Sequence, residues 1–125
     1  MFKKTCSLYM KSSMGDKERL GHIIDYAALI EKALIDVTEE RFYEDFILNA
    51  AVLKWVEVIG EASYKITKTY KAAHTDIEWK RIEGMRHIAV HDYFGIDLPR
   101  IWQVAKNNVP GLKEKVSKLY NEFED

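Results

Sequence analysis

The sequence predicts an all-α fold, an up-and-down bundle of four to five helices joined by short connections. Three observations carry that prediction. Glycine and proline are scarce, six and two in 125 residues, which leaves few turns and favours a handful of long elements. Apolar residues recur at three- and four-residue intervals over long stretches. No alternating apolar and polar run is long enough to argue for a strand.

Residues 1–15 show no sustained helical period and read as a flexible N-terminal extension ahead of one helical domain over 16–125. From Asp16, which can act as a helix cap, Leu20, Ile23, Ala27, Ile30, Leu34 and Val37 mark a first helix to about residue 37. Thr38 followed by Glu39, Glu40 and Arg41 looks like the capped start of a short helix or turn holding Phe42 and Phe46. A long helix over 45–70 follows, with Phe46, Ala50, Leu53, Val56, Ile59 and Ile66 on or near its buried side. Gly60 lies inside it, where glycine costs about 1 kcal/mol relative to alanine. Close approach of a neighbouring helix is the compensation expected there. Trp79, Ile82, Met85 and Ala89 mark a third helix over 77–92. Gly95 then stops it, Asp97 caps the next helix and Pro99 fits its first turn. That last helix breaks near Asn107-Asn108 and resumes through Pro110 with Leu112, Val116 and Leu119.

The balance of 47% hydrophobic and 31% charged residues is that of a globular domain, and 125 residues suit one domain with a modest core. A formal net charge of −1 supplies no global basic field for non-specific nucleic-acid binding, although an enzyme needs only a local patch. The single cysteine, Cys6, has no disulfide or thiolate partner in the chain, so a reducing, cytoplasmic setting is expected. No apolar run approaches the roughly 20 residues that span a bilayer, so no membrane association is expected.

Chemistry concentrates in Gly84-Met85-Arg86-His87-Ile88-Ala89-Val90-His91-Asp92-Tyr93. Cleaving RNA without a metal needs a base for the 2′-hydroxyl proton, an acid for the leaving oxygen and a fixed cation for the charged phosphorane. Histidine titrates near neutrality, and arginine's planar fork suits phosphate oxygens. At about 100° per residue, Arg86 and Tyr93 share a stripe while His91 lies about 140° from Arg86. One straight helix therefore does not aim Arg86 and His91 at the same phosphate. Either the helix unwinds after Val90, or a second protomer about a two-fold axis completes the site, which is the preferred reading.

Arg86, four residues, His91, one residue and Tyr93 form an R-x4-H-x-Y pattern that resembles the motif of HepT-like (DUF86) toxins in the HEPN superfamily. His87 matches the polar position after the arginine. Trp79-Lys80-Arg81-Ile82-Glu83-Gly84-Met85 and Phe94-Gly95-Ile96-Asp97 resemble the family's flanks, and Val58-Ile59-Gly60-Glu61-Ala62 resembles its Ile-Gly-Glu-Ala stretch. The likeness covers roughly residues 16–123. It implies a metal-independent ribonuclease without a cofactor, acting as a homodimer with a composite cleft on RNA substrate. Arg86 and His91 are then catalytic, with His87, Asp92 and Glu61 as supporting polar groups. It further implies an ATP-using MNT-type nucleotidyltransferase antitoxin that silences the toxin by AMPylation of Tyr93.

Plainer readings exist for the same residues. Arg86 could pair with Glu83 or Asp92, and Tyr93 could be a bundle aromatic. His87 and His91, four apart, with Asp92, could ligate a metal, but no glutamate follows His87 as in H-E-x-x-H. Glu61 fits a cleft or a helix surface equally well. The tryptophans Trp55, Trp79 and Trp102 suit core or interface packing better than base stacking, and Lys65, Lys68, Lys71, Lys80 and Arg81 include solvated faces and candidate phosphate contacts. An alternative function is a non-catalytic docking or substrate-binding subunit of a nucleotidyltransferase.

Overall fold

The computed structural model describes residues 3–88 and 97–123, with the backbone alone described over 3–14. The described residues are helical and contain no strand, so the all-α prediction holds. The order is α1 (Lys3–Ala33), α2 (Glu39–Glu44), α3 (Phe46–Lys65), α4 (Lys68–Ala73), α5 (Trp79–Glu83), a 3₁₀ turn (Gly84–His87), α6 (Leu98–Gln103), a π-helical segment (Val104–Asn108) and α7 (Val109–Glu122). The bundle rests on α1, α3 and α7, with α1 packed between the other two. Both run antiparallel to α1. Asp16 on α1 meets Thr67 just beyond α3, while Glu31 and Gly21 on α1 meet Lys113 and Tyr120 on α7.

The apolar stripe of α1 behaves as its spacing predicts: Leu20, Ile23, Ala27 and Ile30 are fully buried and Leu34 nearly so. The helical backbone starts at Lys3, well before the expected start at Asp16. Asp16 is consequently no cap. It is 4% exposed, and its carboxylate accepts from the Thr67 amide at 2.9 Å and the Thr67 hydroxyl at 2.7 Å. After Ala33 the chain turns through Asp36 at φ 57°, a left-handed conformation that Asp tolerates better than most residues. Thr38 then caps α2 by accepting from the Arg41 amide at 3.1 Å, as expected.

The buried stripe of α3 differs from the predicted one. Val52, Val56, Ile59, Ser63 and the following Ile66 are in the core with Asn49, whereas Phe46 is 77% exposed and Ala50 is also exposed. Asn49 holds an inner position, its side-chain amide donating to the Phe42 carbonyl at 3.0 Å and satisfying the end of α2. Phe46, in the first turn of α3, is about 120° around the helix from Val52 and stays outside the stripe. Nor does α3 reach residue 70. Ile66 and Thr67 are extended, and the Thr67 hydroxyl, anchored on Asp16, accepts from the Tyr70 amide to start α4.

At the other end, Asp97 caps α6 by accepting from the Arg100 amide at 3.1 Å, and Pro99 lies in its first turn, both as expected. The break foreseen near Asn107-Asn108 is the π-helical segment, so the chain continues into α7 without leaving helical geometry. Phe42 and Trp102 seal this end with ring centroids 5.3 Å apart. Among the described residues, no helix is long and apolar enough to cross a membrane.

Because Asp16 is buried and bonded twice to one residue, Asp16→Ala removes a charge-assisted pair that fixes the α3–α4 break. A loss of about 1–3 kcal/mol in urea unfolding is expected. A loss equal to that of an exposed carboxylate such as Glu18→Ala would show that the pair does not set the break.

Candidate active site

Gly60 is the seat of the site. It is buried in α3, and a Cβ built there would stand 2.4 Å from the Arg86 amide nitrogen, 2.9 Å from the Met85 carbonyl carbon and 3.0 Å from the Arg86 Cα. The close approach expected of this glycine is therefore real, and what approaches is the backbone that carries Arg86. Trp79 and Ile82 bury the inner face of α5 and aim the chain at that contact. The Trp79 Nε1 donates to the His74 carbonyl at 2.8 Å, which ties the start of α5 to the end of α4.

The expected helix over 77–92 is interrupted. Its α-helical part ends at Glu83, and Gly84–His87 winds more tightly as a 3₁₀ turn. A 3₁₀ turn advances about 120° per residue, so the helical-wheel separation between Arg86 and His91 no longer applies. His91, Asp92 and Tyr93 lie outside the described residues, as do Ala89 and the Gly95 stop signal. The paired-histidine metal reading, which needs His91 and Asp92, lies outside them as well.

Arg86 is half-buried, and its surroundings answer the expected pairing with Glu83, while the alternative partner Asp92 lies outside the described residues. The Glu83 carboxylate does not pair with it. Lys71 takes that carboxylate in a short ion pair whose side chains are only 13% and 18% exposed. Lys71 also donates to the Ser63 carbonyl at 3.2 Å and the Tyr64 carbonyl at 3.4 Å, so one ammonium covers the α3 C-terminus and occupies Glu83. The Arg86 Nη1 donates instead to the Glu83 backbone carbonyl at 3.2 Å. Its guanidinium carbon lies 3.7 Å from the centroid of the Tyr64 ring. Among the described residues, no carboxylate forms an ion pair with Arg86. Its charge, among the described residues, is held in place without being cancelled.

The other sequence candidates fall around this centre. His87 is exposed on the 3₁₀ turn beside Arg86. Glu61 adjoins Gly60 but is half-exposed and pairs with Lys65 at 3.4 Å. Arg81 pairs with Glu78 at 3.1 Å on the surface, and Lys71 is structural rather than a groove cation. The structure thus brings Gly60, Tyr64, Glu83 and Arg86 together. Tyr64 was missed by sequence reasoning; its only signal was its position one helical turn after Gly60.

Comparison with known proteins gives the family. The family model described as ribonuclease HepT-like matches residues 23–119. The probable ribonuclease HepT of Thermococcus cleftensis is 36% identical over 107 residues, covering 82% of this chain and 94% of that protein. A Methanocaldococcus jannaschii protein named "Gamma-glutamylcyclotransferase and putative RNase MJ0434" is 36% identical over 105 residues. That match covers 84% of this chain and 47% of the longer protein. No solved structure matches. An all-helical bundle matched by a ribonuclease family model defines the class as helical ribonucleases. Within it, this chain belongs to the ribonuclease HepT-like family, a family of ribonucleases.

If Gly60 is required for the backbone contact, Gly60→Ala must displace the Arg86 segment, since backbone rather than a flexible side chain is in the way. Overpacking of this kind costs about 1–3 kcal/mol. Thermal melting should register it as a clear fall in Tm. The exposed Gly111→Ala, which meets nothing within 4 Å, serves as the control. An unchanged Gly60→Ala melting point would contradict the tight approach.

Proposed function

We propose that this protein is a toxin endoribonuclease of a HEPN/MNT toxin–antitoxin pair, cutting RNA without a metal. The reading is supported above all by Arg86, a half-buried guanidinium held by Tyr64 and a backbone carbonyl while Lys71 keeps Glu83 away from it. A fixed cation in that state suits the developing charge of a phosphorane better than one already paired with a carboxylate. In this chemistry the ribose 2′-oxygen attacks the adjacent phosphorus and the bond to the 5′-oxygen breaks. His91 moves the protons, and the products carry a 2′,3′-cyclic phosphate and a 5′-hydroxyl.

The site is composite, built in a homodimer from Arg86 and His91 of both copies, with His87, Asp92 and Glu61 as supporting polar groups. Phe46 and Ile47, 77% and 85% exposed at the start of α3 and about 20 Å along the helix from Gly60, offer apolar surface that a second copy could cover. Silencing comes from an MNT-type nucleotidyltransferase that transfers AMP from ATP to Tyr93. The added phosphodiester brings negative charge and bulk to the segment that follows Arg86, where it competes with substrate phosphate.

The test is cleavage of mixed tRNA and mRNA in excess EDTA by wild type, Arg86→Ala and His91→Ala. The intact mass is checked first to exclude bound AMP. Wild type should cut and leave cyclic-phosphate ends, and each substitution should slow cutting by at least about a hundredfold. His91→Ala cleaving as fast as wild type would refute the mechanism. Failure of the unmodified protein to cut varied RNAs would instead favour a docking subunit of the nucleotidyltransferase.

A further inference from the structure

The geometry points to Tyr64 as the positioning residue for Arg86: its ring holds the guanidinium plane so that the N–H edges remain available to a substrate phosphate. The inference rests on the ribonuclease reading above. Tyr64 takes no part in the proton or phosphate chemistry proposed there, and it is not a core residue, being 51% exposed.

Two contacts on one face of α3 hold Arg86. Gly60 admits its backbone, and Tyr64, four residues further along the same face, receives its side chain at 3.7 Å from the ring centroid. A cation within about 6 Å of an aromatic face is attracted by the ring quadrupole. The consequence differs from that of an ion pair. A carboxylate would occupy the N–H fork and cancel the charge, whereas a ring occupies the flat face and leaves both fork and charge intact. The Glu83 carbonyl takes a single Nη1 donor, so the guanidinium keeps further donors for phosphate oxygens. Arginine otherwise carries a large side-chain rotamer entropy, and ordering it before substrate arrives spares that reorganisation in the transition state.

The experiment compares wild type, Tyr64→Phe and Tyr64→Leu by two readouts, after melting curves establish that all are folded. The first is the NMR signal of the Arg86 Nε–H group, assigned by its loss in Arg86→Lys and shifted by the ring current of Tyr64. The second is kcat and KM for RNA cleavage in EDTA. Tyr64→Phe, which keeps the ring, should keep the shift and wild-type kinetics. Tyr64→Leu should lose the shift and lower kcat about tenfold, with the smaller change in KM. Wild-type kcat in Tyr64→Leu would overturn the inference, as would an unchanged Arg86 signal. A raised KM at constant kcat would also overturn it, making Tyr64 a stacking surface for a base. In each of these cases wild-type cleavage continues, so the ribonuclease reading survives. A wild type that cuts no RNA would overturn that reading and, with it, the catalytic purpose of the stack.

Discussion

Where α3 meets the Arg86 turn, the missing side chain of Gly60 lets two backbones approach closer than any Cβ would allow. Much of the surrounding structure is arranged to make that contact possible. Asp16 ends α3 by holding Thr67, which starts α4; the end of α4 then ties down Trp79, and α5 delivers the chain onto Gly60. A helix that ran on to residue 70 would carry this chain elsewhere. One buried carboxylate on α1 therefore acts at a distance on the placement of an arginine seventy residues later.

Charge is distributed with the same economy. A protein of net charge −1 cannot attract RNA by its overall field, so any cation that matters must be placed and kept uncancelled. Lys71 does this indirectly. By taking the Glu83 carboxylate and covering the α3 C-terminus, it occupies a neighbouring anion that could otherwise neutralise Arg86. The aromatic face of Tyr64 then restrains the guanidinium without altering its charge. Restraint without neutralisation is what electrostatic stabilisation of a phosphorane requires.

The sequence made the helical class, the caps at Thr38 and Asp97, and the meaning of Gly60 legible, because each depends on local chemistry or on one residue's cost. It also located the interruption at Asn107-Asn108, although a π-helical segment keeps the chain helical there. The break at Ile66-Thr67 was not legible, since Ile66 continues the apolar period and the cause lies on another helix. Phe46 was assigned to the core by its apolarity, but a polar Asn49 took the inner position because its amide has a carbonyl to satisfy. The tightening at Gly84 escaped a uniform helical wheel for a related reason: the backbone contact with Gly60 is tertiary. Of the predicted site, Arg86, His87 and Glu61 are placed by the fold, while the reach to His91, Asp92 and Tyr93 is known from sequence spacing alone.

Attack by the ribose 2′-oxygen is the step on which the proposed chemistry depends. The most direct measurement uses one short RNA in two versions, differing only by a 2′-deoxy ribose at the mapped cut site, incubated with unmodified protein in EDTA. The ribose version should be cut and the deoxy version should resist completely at that bond. Equal cutting of both would contradict that chemistry, because the nucleophile would then have to come from outside the substrate.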